Sequence, residues 1–186
     1  MHPAPRLSLY EQLLALPEGL TGEILNGQLH TQPRPTGPHL RVGSSLGSKL
    51  HRRFDEGDGG PGGWWILLEP ELHFVRDTEV AVPDIAGWRR ERLPTLPAGH
   101  RFEVVPDWVC EILSPSTASK DREVKLPLYA HYGVSYAWLV DPLQHRLEAY
   151  ERVAGKWQLI VVAEGDQVVE IPPFVENSLS LGSLWA

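Results

Sequence analysis

Residues 106–142 read PDWVCEILSPSTASKDREVKLPLYAHYGVSYAWLVDP. Trp108 to Leu113 is an apolar run of strand length interrupted by one acid, Glu111. The SPSTASKD stretch that follows offers several N-cap candidates for a helix over about Ser119 to Tyr132, and Gly133 suits its C-terminal end. Ser135 to Val140 alternates again, and Asp141-Pro142 turns the chain. Strand, helix and strand in succession point to an α/β (α+β) fold.

Upstream, Ser8 to Leu16 reads as a short helix, with Ser8 and Glu11 at capping-box spacing and Pro17 as a stop. Glu23 to His30 reads as a hairpin, since Asn26-Gly27 supplies the two positive φ angles of a type I′ turn. Pro33, Pro35 and Pro38 form an extended connector, and Pro38 suits the first turn of a helix running to about Phe54. That helix is expected to carry Leu40, Leu46, Leu50 and Phe54 to the core, while Gly43 and Gly47 permit close approach to a sheet. The Gly-rich loop Asp55 to Gly63 precedes a meander of strands at Trp64 to Leu68, Leu72 to Val75 and Val80 to Trp88. Downstream, Arg146 to Arg152, Lys156 to Val162 and Val168 to Ile171 predict a β-rich C-terminal part.

The whole chain bounds what these elements can form. At 186 residues one domain over 1–186 is expected, and a domain of this size buries roughly 70% of its unfolded surface. No apolar run approaches the ~20 residues a membrane helix needs. The N-terminus, with Pro3 and Pro5, lacks the apolar stretch of a signal peptide. Cys110 is the sole cysteine, so no internal disulfide forms and a cytoplasmic location is expected. A formal charge of −7 argues against coating nucleic acid by bulk electrostatics, so any phosphate-binding surface must be local.

Two carboxylates in strand contexts stand out, Asp84 in VPDIAGW and Glu111 in VCEIL. Hard cations such as Mg²⁺ prefer such oxygen ligands. Pro106-Asp107 is a competing pair, but four strand residues separate Asp107 from Glu111 by roughly 13 Å, too far to share one ion. Asp84 is on another strand, which sheet pairing can bring beside Glu111. A carboxylate inside an apolar strand costs several kcal/mol unless paired or metal-bound, so Glu111 needs a partner, of which Lys125 is one. Asp84 taken alone reads more readily as a strand-end or turn residue after Pro83. Cys110 reads as a small packing residue, and the histidines show no zinc spacing.

The segments YEQLLALPEGLTGEILNGQL, VPDIAGW, residues 106–142 and RLEAYE resemble the Uma-type restriction endonuclease family, a branch of the PD-(D/E)XK nuclease superfamily. The resemblance runs from about Tyr10 to Glu151, and its most specific part is the Glu-x-Leu-Ser-Pro-Ser-Thr stretch with the Asp, Lys and Tyr downstream. It implies a restriction-endonuclease-like mixed sheet flanked by helices, with Mg²⁺ or Mn²⁺ at Asp84 and Glu111 and hydrolysis of a phosphodiester in DNA. The N-terminal hairpin and C-terminal antiparallel strands add to that sheet.

The chain departs from the superfamily pattern where the strand lysine belongs, because that position is Leu113. Lys125 is the best replacement. Asp121, Lys125 and Tyr129 repeat at four-residue intervals along one helix face, although Pro127 removes a helical hydrogen bond nearby. Lys120, nearer the turn, is the rival. Glu23 and His39 are further candidates, and Tyr129 can hydrogen-bond a ligand carboxylate. Three hypotheses follow: a metal-dependent endonuclease, a binding module with the nuclease fold but little turnover, and a dimeric scaffold. Cleavage of both strands by one site per chain calls for a homodimer, for which apolar Leu184 and Trp185 offer a surface.

Overall fold

A computed structural model describes residues 7–32, 34–176 and 178–185; Pro3, Pro5 and Pro33 lie outside them. Helix α1 (Leu9–Leu14) begins at Ser8 with both bonds of the capping box to Glu11 in place. Strands β1 (Thr21–Leu25) and β2 (Gln28–Gln32) form the hairpin, with Asn26 at φ 51° and Gly27 at φ 72°. Helix α2 (Gly37–Leu50) runs on into a π-helical turn, His51–Asp55. Strands β3 (Trp64–Leu68), β4 (Glu71–Val75), β5 (Glu79–Ala81), β6 (Ile85–Arg89), β7 (Arg101–Phe102) and β8 (Trp108–Ile112) follow. Then come α3 (Ala118–Lys120), a π-helical turn at Asp121–Lys125, and α4 (Leu126–Tyr132), closed by Gly133 at φ 92°. The chain ends with β9 (Tyr136–Asp141), β10 (Arg146–Val153), β11 (Lys156–Glu164), β12 (Val168–Val169) and β13 (Leu179–Ser180). No described helix is long and apolar enough to cross a membrane.

The strands form two mixed sheets and a small pair. One sheet has the order β2-β1-β5-β4-β7, the other β11-β10-β9-β8-β6-β3, and β12 pairs with β13. Strands β8 and β9 are parallel, because the intervening helical segment carries the chain back to the starting edge. Every residue of β8 is buried, which explains its apolar run: it is covered on both faces. Trp108, Cys110 and Ile112 face the core built from α2 and the C-terminal segment, and Val109 faces the core built from α4 and the five-stranded sheet.

Three expectations are corrected. Val80 to Trp88 is not one strand: it breaks at Val82-Pro83-Asp84, and β5 and β6 belong to different sheets. The meander therefore dissolves into β4 paired with β5 and β3 paired with β6. Leu40 does not enter the core but is 53% exposed, and Val42 takes its place. Six residues of helix turn the side chain by roughly 240°, whereas the four from Val42 to Leu46 leave only roughly 40°. Finally, Leu184 and Trp185 pack into this chain's own core, with Trp185 Nε1 donating to Gly165 O at 2.7 Å, so they supply no dimer surface. The two glycines of α2 behave as expected: a Cβ on Gly47 would meet Leu68 at 3.0 Å and one on Gly43 would meet Ile112 at 3.4 Å.

Candidate active site

The site lies where the chain passes from one sheet to the other. Pro83 has no N–H for a ladder, and its neighbour Val82 bonds outside the sheet. Val82 N donates to Oε1 of Glu23 at 3.0 Å, and Val82 O accepts from Nζ of Lys125 at 3.1 Å. Asp84 follows directly before β6. Since Ile85 pairs with Cys110, the next antiparallel position sets Asp84 across from Glu111. Asp84 Oδ2 accepts the Ile112 N–H at 2.6 Å, and its Oδ1 lies 3.1 Å from Nε2 of His39 in the first turn of α2.

Glu111 lies deeper. Its Oε1 is 2.8 Å from Nζ of Lys125 and also accepts the hydroxyl of Tyr129. The same Nζ is 2.8 Å from Oε1 of Glu23, whose Oε2 is 2.6 Å from Nζ of Lys120. Lys120 also donates to Oε1 of Gln32 at 2.7 Å. Asp121, Lys125 and Tyr129 are all buried, so the four-residue spacing does set them on one face. Pro127 is accommodated at the start of α4, where the preceding π-helical turn already interrupts the regular bonding pattern.

Four carboxylates, Glu23, Asp84, Glu111 and Asp121, share this cluster with Lys120 and Lys125. Burial pushes the Glu111 carboxyl well above its usual range; Lys125 opposes this, while Asp121, Asp84 and Glu23 add to it. Asp121 is pushed up too, by burial more than Lys125 pulls it down. At Glu23, burial is outweighed by Lys125 and Lys120, and its pKa falls to about 2. Burial lowers the Lys125 pKa, but Glu111 and Glu23 carry it well above its ordinary value. His39 is likewise raised, the hydrogen bond and charge of Asp84 overcoming burial. Fully ionised, the four acids would outweigh Lys120 and Lys125, and burial meets part of that excess by favouring the protonated forms of Glu111 and Asp121.

Asp84 and His39 line an open cleft together with Thr36, Glu69, Ser114 and Thr117, whereas Glu111 and Lys125 are buried and take no part in its lining. Asp107 is at the far end of β8, where Oδ2 accepts the Arg89 N–H at 2.9 Å and Oδ1 meets Arg92 at 2.7 Å. Sequence reading ranked Glu23 low and overlooked Gln32 and the Val82 backbone; the only signal was an acid alternating with apolar residues in the hairpin.

Among the described residues, no three His, Cys, Asp or Glu side chains gather closely enough to enclose a metal ion. Carboxylates such as Asp84 and Glu111 are nevertheless the oxygen donors that hard divalent cations take, often one or two acids with waters completing the shell. A divalent cation would favour the ionised form of an acid that burial otherwise holds protonated.

Residues 8–182 match the model of the Uma2 family, described as "Putative restriction endonuclease", and the chain belongs to that family. No curated protein matches it. Among solved structures it is similar to a "putative nuclease" of the DUF820 group from Anabaena variabilis, with 26% identity and a TM-score of 0.75 over 96% of this chain and 97% of that one. The restriction-endonuclease-like mixed fold is therefore shared, and the family indicates a nuclease.

Proposed function

We propose that the chain is a Mg²⁺- or Mn²⁺-dependent endonuclease that hydrolyses phosphodiester bonds in DNA. The observation that carries this is the arrangement of one cation and two acids. Asp84, one residue before β6, continues the β6–β8 register toward Glu111, and Lys125 reaches Glu111 from a helix, where the superfamily's strand position holds Leu113. Asp84 and Glu111 would hold the ion, which when bound supplies Lewis acidity at the phosphate and a more acidic water. Lys125 offsets negative charge developing on the phosphoryl oxygens, and its bonds to Glu23, Glu111 and Val82 O fix the ammonium before substrate arrives. Tyr129 orients Glu111 by donating to it. His39 holds Asp84 in place at the cleft wall, Asp121 adds negative charge beside the pair, and Glu23 with Lys120 keeps Lys125 in position.

A nuclease-fold binding module with little turnover is the second reading, favoured by how fully Lys125 and Tyr129 already satisfy Glu111 Oε1. Incubation with DNA and with RNA separates the two. Cleavage that requires Mg²⁺ or Mn²⁺ supports the enzyme, whereas nucleic-acid binding without cleavage under any divalent ion supports the module. A cytoplasmic homodimer is compatible with either.

A further inference from the structure

Two compartments of opposite character meet at Asp84 and His39. One is walled by Leu40, Gly43, Leu68 and Ile112, with Pro35 at its mouth. The other is a polar channel between Gln32, Arg34 and Thr36 on one side and Ser114, Ser116 and Thr117 on the other. In the channel, Ser114 Oγ is 3.1 Å from Ser116 Oγ and 3.0 Å from Thr117 Oγ1, so three hydroxyls cluster around Ser114. Pro35, His39, Glu69 and Asp84 line both compartments. The apolar one is unusual for its leucines. Leu40 is 53% and Leu68 60% exposed, and both flank the cleft that contains Asp84. A single exposed leucine is ordinary, but two at the mouth of an acidic site ask for an apolar occupant.

We propose that the cleft takes single-stranded nucleic acid, with an unpaired base in the Leu40–Leu68 compartment and the phosphodiester backbone in the Arg34–Thr117 channel. A nucleotide has this dual character: apolar ring faces on one side, anionic hydrogen-bond acceptors on the other. In a duplex the ring faces are stacked on each other and only groove edges and phosphates are presented. A base reaches an apolar compartment only when unstacked, as in single strands or at a flipped position. Charge points the same way. A chain of net charge −7 pays heavily for the dense charge of a duplex, one per ~1.7 Å of axis, and gains from base contacts that need no counter-charge. Arg34 and the three hydroxyls supply donors for one or two phosphates, not for a duplex footprint.

The inference rests on the nuclease reading, and binding tests it apart from catalysis. Fluorescence anisotropy is measured with a labelled single-stranded DNA, its blunt duplex, and an abasic strand of the same length, using the Glu111→Gln chain in Mg²⁺ and the wild-type chain in EDTA. The single strand is expected to bind at least about tenfold tighter than the duplex or the abasic strand. The Leu40→Ser/Leu68→Ser variant, altered at exposed positions, is expected to lose that advantage and leave abasic binding unchanged. Equal affinity for strand and duplex overturns the inference, as does an abasic strand that binds as well as the intact one, or no binding by any probe. If the preference holds but no nucleic acid is ever cleaved, the catalytic reading falls and this one stands. If duplex DNA is cleaved and bound as well as the strand, the reverse is true.

Discussion

Lys125 and Glu111 belong to different elements of the fold, yet Nζ and Oε1 meet at 2.8 Å inside the protein. The contact is possible because the loop after β8 reverses the chain and the helical segment packs back on the sheet face that Glu111 occupies. A cation that a strand position would have delivered two residues on arrives from fourteen residues on, and it is anchored a second time by Glu23, also at 2.8 Å.

Replacing Lys125 by Met keeps length and removes charge. Cleavage is expected to fall by ~10² to 10³, the usual loss for one electrostatic donor, while divalent-ion affinity persists or strengthens because a neighbouring cation is gone. Without metal the variant should also be less stable by about 3 to 5 kcal/mol, since Glu111 is left buried without its cation and Glu23 keeps only Lys120. Single-turnover cleavage, calorimetric Mn²⁺ titration and urea unfolding read the three effects. Normal cleavage by Lys125→Met removes the assignment and turns attention to Lys120.

Glu23 predicts an acid limb. Its folded pKa, about 2, is below the unfolded value near 4.3. Its ionised form therefore stabilises the fold fully above that unfolded value, and the contribution disappears as pH falls toward about 2. Wild type and Glu23→Gln, compared by urea midpoint, should differ by on the order of 3 kcal/mol at neutral pH and converge on acidification. A gap that stays constant through this window shows that the Glu23 ion pairs contribute nothing to stability.

Much of this was legible beforehand, and what escaped shares one cause. The capping box at Ser8 and Glu11, the Asn26-Gly27 turn, the Gly133 cap and the β8 strand are set by neighbours in sequence. The break at Val82-Pro83-Asp84 is set by distant partners instead, because Val82 gives its N–H to Glu23 and its carbonyl to Lys125, fifty-nine and forty-three residues away. Local alternation could not reveal it. Leu184 and Trp185 illustrate the same limit: an apolar terminus is recognisable, but whether it covers its own core or another copy's depends on packing. At the site, the acids and Lys125 could be named from motif and spacing, whereas Lys120 bonded to Glu23 and Gln32 depends on how the hairpin seats against the helical segment.

Asp107 should behave as a structural acid. Asp107→Asn is expected to leave metal-dependent cleavage nearly unchanged and to cost about 1 kcal/mol of stability through the weakened bond to Arg89 N. Thermal unfolding and a cleavage time course check both. A loss of cleavage as large as that of Asp84→Asn shows that the wrong acid was paired with Glu111.

Whether Asp84 and Glu111 act together on a divalent ion to hydrolyse DNA is decided by incubating DNA, with RNA alongside, with wild-type chain and with Asp84→Ala in Mg²⁺, in Mn²⁺ and in EDTA. The wild type is expected to cleave in at least one divalent ion and not in EDTA, with a loss of at least about 10²-fold in Asp84→Ala. Cleavage that survives EDTA, or that Asp84→Ala performs as fast as the wild type, contradicts that joint action.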